Sequence, residues 1–207
     1  MKPLVLTGSK VKLVPMEEHH ADSLFEIGQY PEIWQFTQIH ISTWEDAREY
    51  VRTALEQPNA MPFVIVEQDT QRIVGSTRLY DISAQHRSLE IGSTWLTPAV
   101  WRSSVNTECK YLLLKHSFEA LDMIRVQLKT DSRNVRSQSA IERIGATREG
   151  VFRNHLTLPN GYVRDSVYFS ILDREWLEVK ARLEYMLGKP SVTVPPVLSA
   201  QDTALLG

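Results

Sequence analysis

A polar loop between a strand and a helix has the residue types that hold phosphate. Residues 104–121 read SVNTECKYLLLKHSFEAL, in which Ser104, Asn106 and Thr107 lead into an apolar helix, and the preceding EIGSTWLTP segment is strand-like. The first N–H groups of a helix lack partners within it and form a positive pole that binds phosphate oxygens. Arg102 adds a cation beside the loop. The alternative is that Ser104 or Asn106 only caps the helix.

A second polar helix start follows the next strand. Residues 125–130, RVQLKT, alternate as a strand does, and Asn134 and Ser137 open the helix after it. Because a helix separates this strand from the EIGSTWLTP strand, the two are expected to be parallel neighbours whose following loops meet at one edge of the sheet. A slender amide-containing ligand would insert where such strands diverge and would reach the amide of Asn134.

The apolar pattern along the chain predicts the elements that position these groups. The segments follow the order β, α, α, β, β, β, α, β, α, β, β, α, without an internal repeat. This order is typical of a single α/β or α+β domain, with helices on the faces of a mixed sheet. The predicted domain covers residues 1–187. Residues 188–207, with three prolines and little charge, are predicted to form an extended tail.

Three local signals predict a helix start, a helix end and a hairpin turn. Ser42 and Glu45 match a capping box, in which the hydroxyl caps a helix N–H and the carboxylate reaches back. Gly145 is placed as the left-handed stop of the helix that Asn134 opens. The Asn160-Gly161 pair between two strand-like segments predicts a hairpin turn, because both residues accept positive φ.

Charge, cysteine content and hydropathy exclude several classes of protein. The net charge of −2 argues against a nucleic-acid-binding surface. The single cysteine, Cys109, excludes an intrachain disulfide and is expected to be a small packing residue rather than a nucleophile. No apolar run is long enough to span a bilayer, and the N-terminal residues lack the apolar core of a signal peptide. We therefore expect a cytoplasmic protein that binds neither nucleic acid nor membrane.

Three segments resemble the GNAT superfamily of acetyl-CoA-dependent N-acetyltransferases, most closely its ribosomal-protein N-terminal acetyltransferase branch. They read EIGSTWLTPAVWRSSVNTECKYLLLKHSFE, RVQLKTDSRNVRSQSAIERIGATREGVFR and GYVRDSVYFSILDREW, and the order of elements matches over residues 8–185. The resemblance implies a GNAT fold, with a mixed, mostly antiparallel sheet, splayed parallel central strands and helices on both faces. It also implies acetyl-CoA as co-substrate and no metal.

The resemblance implies where acetyl-CoA binds. In the family, the turn carries the pattern Gln/Arg-x-x-Gly-x-Gly/Ala, its N–H groups hold the pyrophosphate, and the pantetheine arm lies between the splayed strands. Here Trp101, Ser104 and Asn106 stand at the motif positions, with Cβ atoms where glycine lets phosphate approach closely. The residues implied to contact the cofactor are Thr94, Trp95, Leu96, Trp101, Arg102, Ser103, Ser104, Val105, Asn106, Thr107, Asn134 and Ser137.

The same resemblance implies catalytic roles. Many family members have a tyrosine seven residues after the asparagine, which protonates the departing thiolate, but here that position is Ile141. The ribosomal branch has a serine at the position of Ser137, which is assigned the acid role; the alternative is a helix-surface hydroxyl. Glu90 is implied as the base, directly or through water; the alternative is a solvated strand carboxylate paired with an arginine. A backbone N–H near residues 94–96 would meet the oxyanion.

Two functions are compatible with these residues. The first is transfer of the acetyl group from acetyl-CoA to a primary amine, on a protein N-terminus or a small molecule, by direct attack in a ternary complex. The second is a GNAT-fold binding or regulatory module without transfer, which the altered motif and the missing tyrosine favour. Both monomer and homodimer stay open, because the apolar segment 192–198 offers a contact surface.

Overall fold

Eight strands and six α-helices make up the part of the chain that the structure, a computed structural model, describes: residues 4–189. The strands are β1 (Leu6–Thr7), β2 (Val11–Pro15), β3 (Met61–Glu67), β4 (Ile73–Ser83), β5 (Ser88–Leu96), β6 (Arg125–Asp131), β7 (Thr147–Thr157) and β8 (Val163–Leu172). The helices are α1 (Ala21–Ile27), α2 (Pro31–Trp34), α3 (Trp44–Glu56), α4 (Val105–Lys115), α5 (Val135–Arg143) and α6 (Trp176–Met186). The sheet order is β1-β2-β3-β4-β5-β6-β8-β7, and all neighbours are antiparallel except the parallel pair β5 and β6.

Two apolar layers cover the sheet, because its central strands bury side chains on both faces. The larger core packs α4 and α6 on one face, around fully buried side chains such as Leu113 and Phe169. The smaller core packs α1 and α3 on the other face, where the rings of Trp34 and Trp95 lie 5.0 Å apart. The predicted mixed sheet with helices on both faces is therefore confirmed.

A buried carboxylate ties the turn before β2 to α4. Glu108 accepts hydrogen bonds from the backbone N–H groups of Ser9, Lys10 and Val11 at 2.9, 2.5 and 2.9 Å, and from the Ser9 hydroxyl at 2.9 Å. Gly8 leaves the room for this contact, since a Cβ there would lie 2.4 Å from Cδ of Glu108. Burial alone raises the pKa of Glu108, but these hydrogen bonds outweigh it and hold the pKa below its usual value.

The predicted capping box lies one residue further along the chain. Thr43, not Ser42, is the N-cap of α3, and its hydroxyl accepts from the N–H of Asp46 at 3.1 Å. The Asp46 carboxylate accepts from the N–H groups of Ser42 and Thr43 at 3.0 and 2.8 Å. The Ser42–Glu45 pairing was therefore wrong, because a single carboxylate at Asp46 satisfies both N–H groups.

The Asn160-Gly161 turn differs in detail from the prediction. A five-residue loop joins β7 to β8, and Gly161 has a φ of 80°, whereas Asn160 does not adopt positive φ. The Asn160 side chain instead accepts from the N–H of Tyr162 at 3.1 Å. The hairpin is thus confirmed, but a local hydrogen bond accepted by the asparagine side chain stands in place of the expected positive φ at Asn160. Gly145, by contrast, has a φ of 99° and ends the α5 segment as predicted.

The end of the described chain returns to α4. The Lys189 ammonium lies 3.6 Å from the Glu108 carboxylate and 4.1 Å from the centre of the Tyr111 ring. The rest of the predicted tail 188–207, including the contact segment 192–198, lies outside the described residues. Between residues 4 and 189, no helix is long and apolar enough to cross a membrane.

Candidate active site

The two central strands pair over three residues and then separate. The parallel pairing of β5 and β6 runs from Ser88 opposite Arg125 to Glu90 opposite Gln127. Beyond that point β5 still pairs with β4 as far as Leu96, but its other edge has no strand partner in the described chain. The predicted divergence of two parallel strands is confirmed. It leaves backbone donors and acceptors free for an extended ligand.

A β-bulge lies on β5 at this gap. The single residue Thr77 of β4 lies opposite both Ser93 and Thr94, and Ser93 has a φ of 47° in the left-handed region. Bulges reorient the backbone and interrupt regular pairing, and they occur often beside active sites. Past the bulge, the carbonyl of Leu96 accepts a hydrogen bond from the indole N–H of Trp101 at 2.8 Å.

A cavity of about 820 Å³ lies in the gap between β5 and β6. The predicted cofactor-contacting residues that line it are Thr94, Trp95, Leu96, Trp101, Arg102, Ser103, Asn106, Asn134 and Ser137. Four other predicted site residues, Glu90, Ser104, Val105 and Thr107, do not line it. The fold therefore brings together two helix starts and one strand edge that are far apart in the sequence.

The N-terminus of α4 has free donors. The backbone N–H groups of Asn106 and Thr107 make no hydrogen bond to any residue between 4 and 189. Ser104 does not cap the helix with its side chain, whereas the Ser103 hydroxyl accepts from the N–H of Val105 at 3.3 Å. The capping alternative was therefore wrong for Ser104 and Asn106. Two N–H groups stay available at the positive pole of the helix for an anion.

Three arginines line the cavity near this pole. Arg102 precedes α4, and Arg136 and Arg143 lie on α5. Arg143 donates a hydrogen bond to the Thr107 hydroxyl at 3.0 Å, and the Arg136 guanidinium lies 4.1 Å from the ring centre of Trp101. Trp101 carries no charge, but its ring holds the Arg136 cation beside the cavity by a cation–π contact. The charge and the free N–H groups together suit a phosphate.

Asn134 and Ser137 lie together at the start of α5. The Oδ1 atom of Asn134 caps the helix by accepting from the N–H of Ser137 at 3.0 Å. This leaves the amide NH₂ of Asn134 free to donate to a ligand in the cavity. The hydroxyl of Ser137 makes no hydrogen bond to the residues that the structure describes. It is therefore available to donate a proton into the cavity.

Glu90 is the centre of a buried hydrogen-bond network. Its side chain is 1% exposed, and its carboxylate accepts hydrogen bonds from the Tyr80 hydroxyl, from Gln127 at 2.7 Å and from Lys129 at 3.0 Å. Glu90 is therefore buried and paired with Lys129, so the alternative of a solvated carboxylate paired with an arginine was wrong. Tyr80 and Lys129 line the cavity in front of it. Burial and the charge of Glu90 raise the pKa of Tyr80.

Other reactive groups do not form a site. Burial raises the pKa of the Cys109 thiol to about 11, so this side chain is an inert packing residue at neutral pH. His155 contacts the hydroxyls of Ser166 and Tyr168 at 3.0 and 3.3 Å, and burial together with Lys129 lowers its pKa. Among residues 4–189, no three His, Cys, Asp or Glu side chains lie close enough together to hold a metal ion.

Comparison with known proteins decides the family. The family model of the acetyltransferase (GNAT) domain matches residues 10–147 of the sequence, which is more than half of the chain. The chain belongs to the GNAT acetyltransferase family. The resemblance drawn from the sequence is confirmed, and the chain is an acetyltransferase enzyme. In GNAT terms, the gap between β5 and β6 corresponds to the splayed parallel strands that the resemblance implies.

Two of three similar proteins match this chain over more than four fifths of its length, and the third matches half of it. A crystal structure of a candidate acetyltransferase from T. thermophilus is 38% identical, has a TM-score of 0.83 and covers 90% of this chain and 98% of that chain. The uncharacterized N-acetyltransferase YnaD of Bacillus subtilis is 23% identical over 172 residues, 83% of this chain and 98% of its own length. YdaF of the same organism, a candidate ribosomal N-acetyltransferase, is 33% identical over 104 residues, 50% of this chain and 56% of its own length.

Several polar residues that line the cavity were missed from the sequence, among them Tyr80, Lys110 and Arg164. These three lie within strands or a helix rather than in polar loops. For Lys110 a signal existed, since this lysine directly precedes the apolar run of residues 111–114 in a helix that packs on the sheet. Tyr80 and Arg164 have no comparable local signal, because contacts between distant strands create their environment.

Replacing Lys110 with methionine is expected to stabilise the protein without ligand. Lys110 is 7% exposed, its ammonium donates to the Thr94 hydroxyl at 2.7 Å, and no described carboxylate pairs with it. Burial lowers its pKa, so the unfolded chain binds this proton more readily, and wild-type stability rises with pH up to the ordinary lysine value. We expect Lys110→Met to gain about 1 kcal/mol at pH 7 and to flatten that rise, as measured by urea unfolding at pH 7 and 9.

A matched lysine on the same helix serves as the control. Lys115 is exposed, so Lys115→Met is expected to change the free energy of unfolding by less than about 0.5 kcal/mol. A loss of stability for Lys110→Met at pH 7 would show that the contact with Thr94 outweighs the cost of burying the charge.

Proposed function

We propose that this GNAT enzyme transfers the acetyl group of acetyl-CoA to a primary amine, on a small molecule or a protein N-terminus, by direct attack in a ternary complex. One observation carries the proposal: the unpaired edge of β5 leads along the cavity to the free N–H groups of Asn106 and Thr107. An extended chain with amide groups and a terminal pyrophosphate matches this arrangement of strand edge and anion pole. Thr94, Trp95 and Leu96 would pair with that chain.

The phosphate end would be bound by backbone and cations together. The residues assigned to it are Trp101, Arg102, Ser103, Ser104, Val105, Asn106 and Thr107. The side chains of Ser104 and Asn106 add bulk where the family has glycine, but the N–H groups of Asn106 and Thr107 are free of internal partners. Arg136 and Arg143 supply charge from α5, which supports binding despite the lost arginine of the motif.

The acetyl transfer needs a neutral amine and a protonated thiol product. The amine nitrogen attacks the thioester carbonyl carbon, and the C–S bond breaks as the amide bond forms. The oxyanion would be met by a backbone N–H near the bulge at Thr94. The Ser137 hydroxyl would give its proton to the departing thiolate, and the amine proton would pass through Tyr80, Lys129 or a water to Glu90; a proton would then return from Glu90 through water to the serine oxygen, which restores both groups. Each step uses groups that line the cavity or lie directly behind it.

Removing the Ser137 hydroxyl is expected to slow the reaction more than it weakens binding. Loss of a general acid typically costs about 10²-fold or more, so kcat of Ser137→Ala is expected to fall by about that factor, while KM for acetyl-CoA changes less than about threefold. Ser139→Ala, on the exposed side of the same helix, serves as the control. Equal rates for Ser137→Ala and wild type would remove the acid role from Ser137.

A panel of amines separates transfer from mere binding. Acetyl-CoA is incubated with the enzyme and with amino acids, peptides, polyamines and aminoglycosides, and acetylated products are identified by mass spectrometry. An acetylated amine supports the proposed transfer. Saturable acetyl-CoA binding with no acetylated amine would support the regulatory alternative, a GNAT-fold module that holds CoA without transfer. The cytoplasmic location and the choice between monomer and homodimer stay predictions.

A further inference from the structure

Arg164 is a buried arginine that lines the cavity and donates no hydrogen bond within the described chain. It lies on β8, is 8% exposed and lines the cavity. Its guanidinium donates no hydrogen bond to any described residue, and its Nε atom is fully buried without a partner. A guanidinium has five N–H donors, and buried donors without partners are rare in folded proteins. The terminal nitrogens of Arg164 are not among the fully buried unpaired atoms, so an acceptor in the cavity can reach them.

The nearest carboxylate does not satisfy Arg164. Oδ2 of Asp131 lies 4.0 Å from the Arg164 Nε atom, beyond hydrogen-bond distance. Asp131 is instead bound by Arg133, whose guanidinium donates to its two oxygens at 3.0 and 2.7 Å and whose N–H donates at 2.9 Å. Asp131 therefore balances part of the charge of Arg164 but leaves its donors free.

Arg164 lies on the opposite side of the sheet from the phosphate pole. On β6 and β8, Leu128 and Phe169 point into the core that contains α4. Side chains alternate along a strand, so Asp131 on β6 and Arg164 on β8 belong to the other face. Arg164 is thus remote from the free N–H groups of α4. It is placed for the ligand that enters the cavity from the other side, which is the acceptor.

The charge of the cavity lining disfavours a polycationic acceptor. Among the described lining residues the acid is Asp131, and it is already paired with arginine. On the face of the sheet that carries Arg164, the bases that line the cavity are Lys129 and Arg164, and the Glu90 carboxylate behind them is already bonded to Lys129. A polyamine needs several free carboxylates, whereas an acceptor with its own carboxylate would complete the surroundings of Arg164.

We propose that Arg164 binds a carboxylate of the acceptor, so that the acceptor is an amine that also carries a carboxylate. The planar fork of an arginine matches a carboxylate with two parallel hydrogen bonds. This chemistry is shared by a free α-amino acid and by a peptide N-terminus with an acidic side chain near it. The inference rests on the proposed acetyl transfer and names the acceptor class for that site.

The test compares acids with their neutral amides. The panel contains α-amino acids and their α-amides, a peptide amide with aspartate as second residue and its asparagine counterpart, and spermidine. We expect kcat/KM for a carboxylate acceptor to exceed that of its amide by about tenfold or more. Acetylated free amino acids identify one source of the carboxylate, and acetylated aspartyl peptides identify the other. Equal rates for acid and amide, or spermidine as the best acceptor, would overturn the proposal.

Variants of Arg164 test its part directly. Arg164→Gln is expected to raise KM for carboxylate acceptors about tenfold or more, with kcat changed little, and to leave the amides unaffected. Arg164→Lys keeps the positive charge but lacks the two parallel N–H donors of the guanidinium. It is expected to recover only part of the preference for acids over amides. Arg153→Gln, an exposed arginine on β7, is the control. Equal losses on acids and amides would overturn the proposal, and if Arg164→Gln fails to fold, the wild-type preference and Arg164→Lys still decide.

Binding without turnover separates this inference from the proposed function. The acids and amides are titrated into the enzyme loaded with CoA, and heat is measured. Arg164-dependent binding of the acids without acetylation of any amine would contradict the transfer and uphold the carboxylate site. Acetylation of amines that is independent of Arg164 would uphold the transfer and contradict the site.

Discussion

Asn106→Asp is expected to weaken acetyl-CoA binding by on the order of 100-fold. Asn106 lines the cavity, and its N–H is one of the two free donors at the start of α4. Aspartate has nearly the same shape as asparagine but places a negative charge beside a pyrophosphate. Like charges about 4 Å apart near a protein surface repel by several kcal/mol, and about 1.4 kcal/mol is tenfold in affinity. Isothermal titration with acetyl-CoA and with CoA measures the loss.

Asn106→Asp is expected to weaken acetyl-CoA binding without lowering the free energy of unfolding. A carboxylate in the first turn of a helix interacts favourably with its N-terminal pole, so Asn106→Asp should unfold no more easily than wild type. Asn106→Gly restores the family residue and serves as the control, with affinity equal to or above wild type. Wild-type affinity in Asn106→Asp would mean that the anion pole of α4 does not hold the cofactor.

Glu108→Ala is expected to lower the free energy of unfolding by about 2–4 kcal/mol. The change removes the acceptor of three backbone N–H groups at residues 9–11: the buried one of Val11 costs about 1–3 kcal/mol when unsatisfied, and the part-buried ones of Ser9 and Lys10 cost less. Because these donors belong to residues 9–11, the edge strand β1 and its neighbour β2 lose their tether to α4. Urea unfolding at pH 7 measures the loss. Glu142→Ala, an exposed glutamate on α5, should change stability by less than about 0.5 kcal/mol.

The contribution of the Glu108 charge depends on pH in a defined direction. Its folded-state pKa lies below the ordinary value of 4.5, so the charged form adds stability that is fully present above pH 4.5. That stability is lost as the pH falls through the lower folded-state pKa. The difference between wild type and Glu108→Gln is therefore expected to narrow in acid. A constant difference from about pH 7 to about pH 3 would contradict this account of the tether.

Local pattern predicted the elements that frame the site. Alternation of apolar residues marked β5 and β6, and the helix between them implied a parallel pair, which the short pairing at Ser88–Glu90 bears out. Asn134 was recognised as the start of α5, and it caps the helix with its side chain. These features depend on residues close in the sequence, where backbone geometry and hydrogen bonding decide the outcome.

Features that depend on distant residues could not be predicted from local pattern. Glu90 was interpreted as a candidate base, but its partners Tyr80, Gln127 and Lys129 come from two other strands, and they bury it behind the cavity. Arg164 gained importance only because Asp131 is bound by its neighbour Arg133. The choice between two neighbouring carboxylates was also missed. The carboxylate of Asp46, rather than that of Glu45, accepts the hydrogen bonds of the backbone N–H groups at the start of α3. In each case, the arrangement is decided by which of several polar groups reaches an acceptor in the folded chain.

Acetyl transfer from the cavity between β5 and β6 is tested most directly by mass spectrometry of acceptors incubated with isotopically labelled acetyl-CoA. The wild-type enzyme is predicted to move the label onto a primary amine that carries a carboxylate, and Asn106→Asp, at the same acetyl-CoA concentration, to move far less. Label on no amine, with equal acetyl-CoA binding by both proteins, would contradict both the transfer and the place assigned to the cofactor.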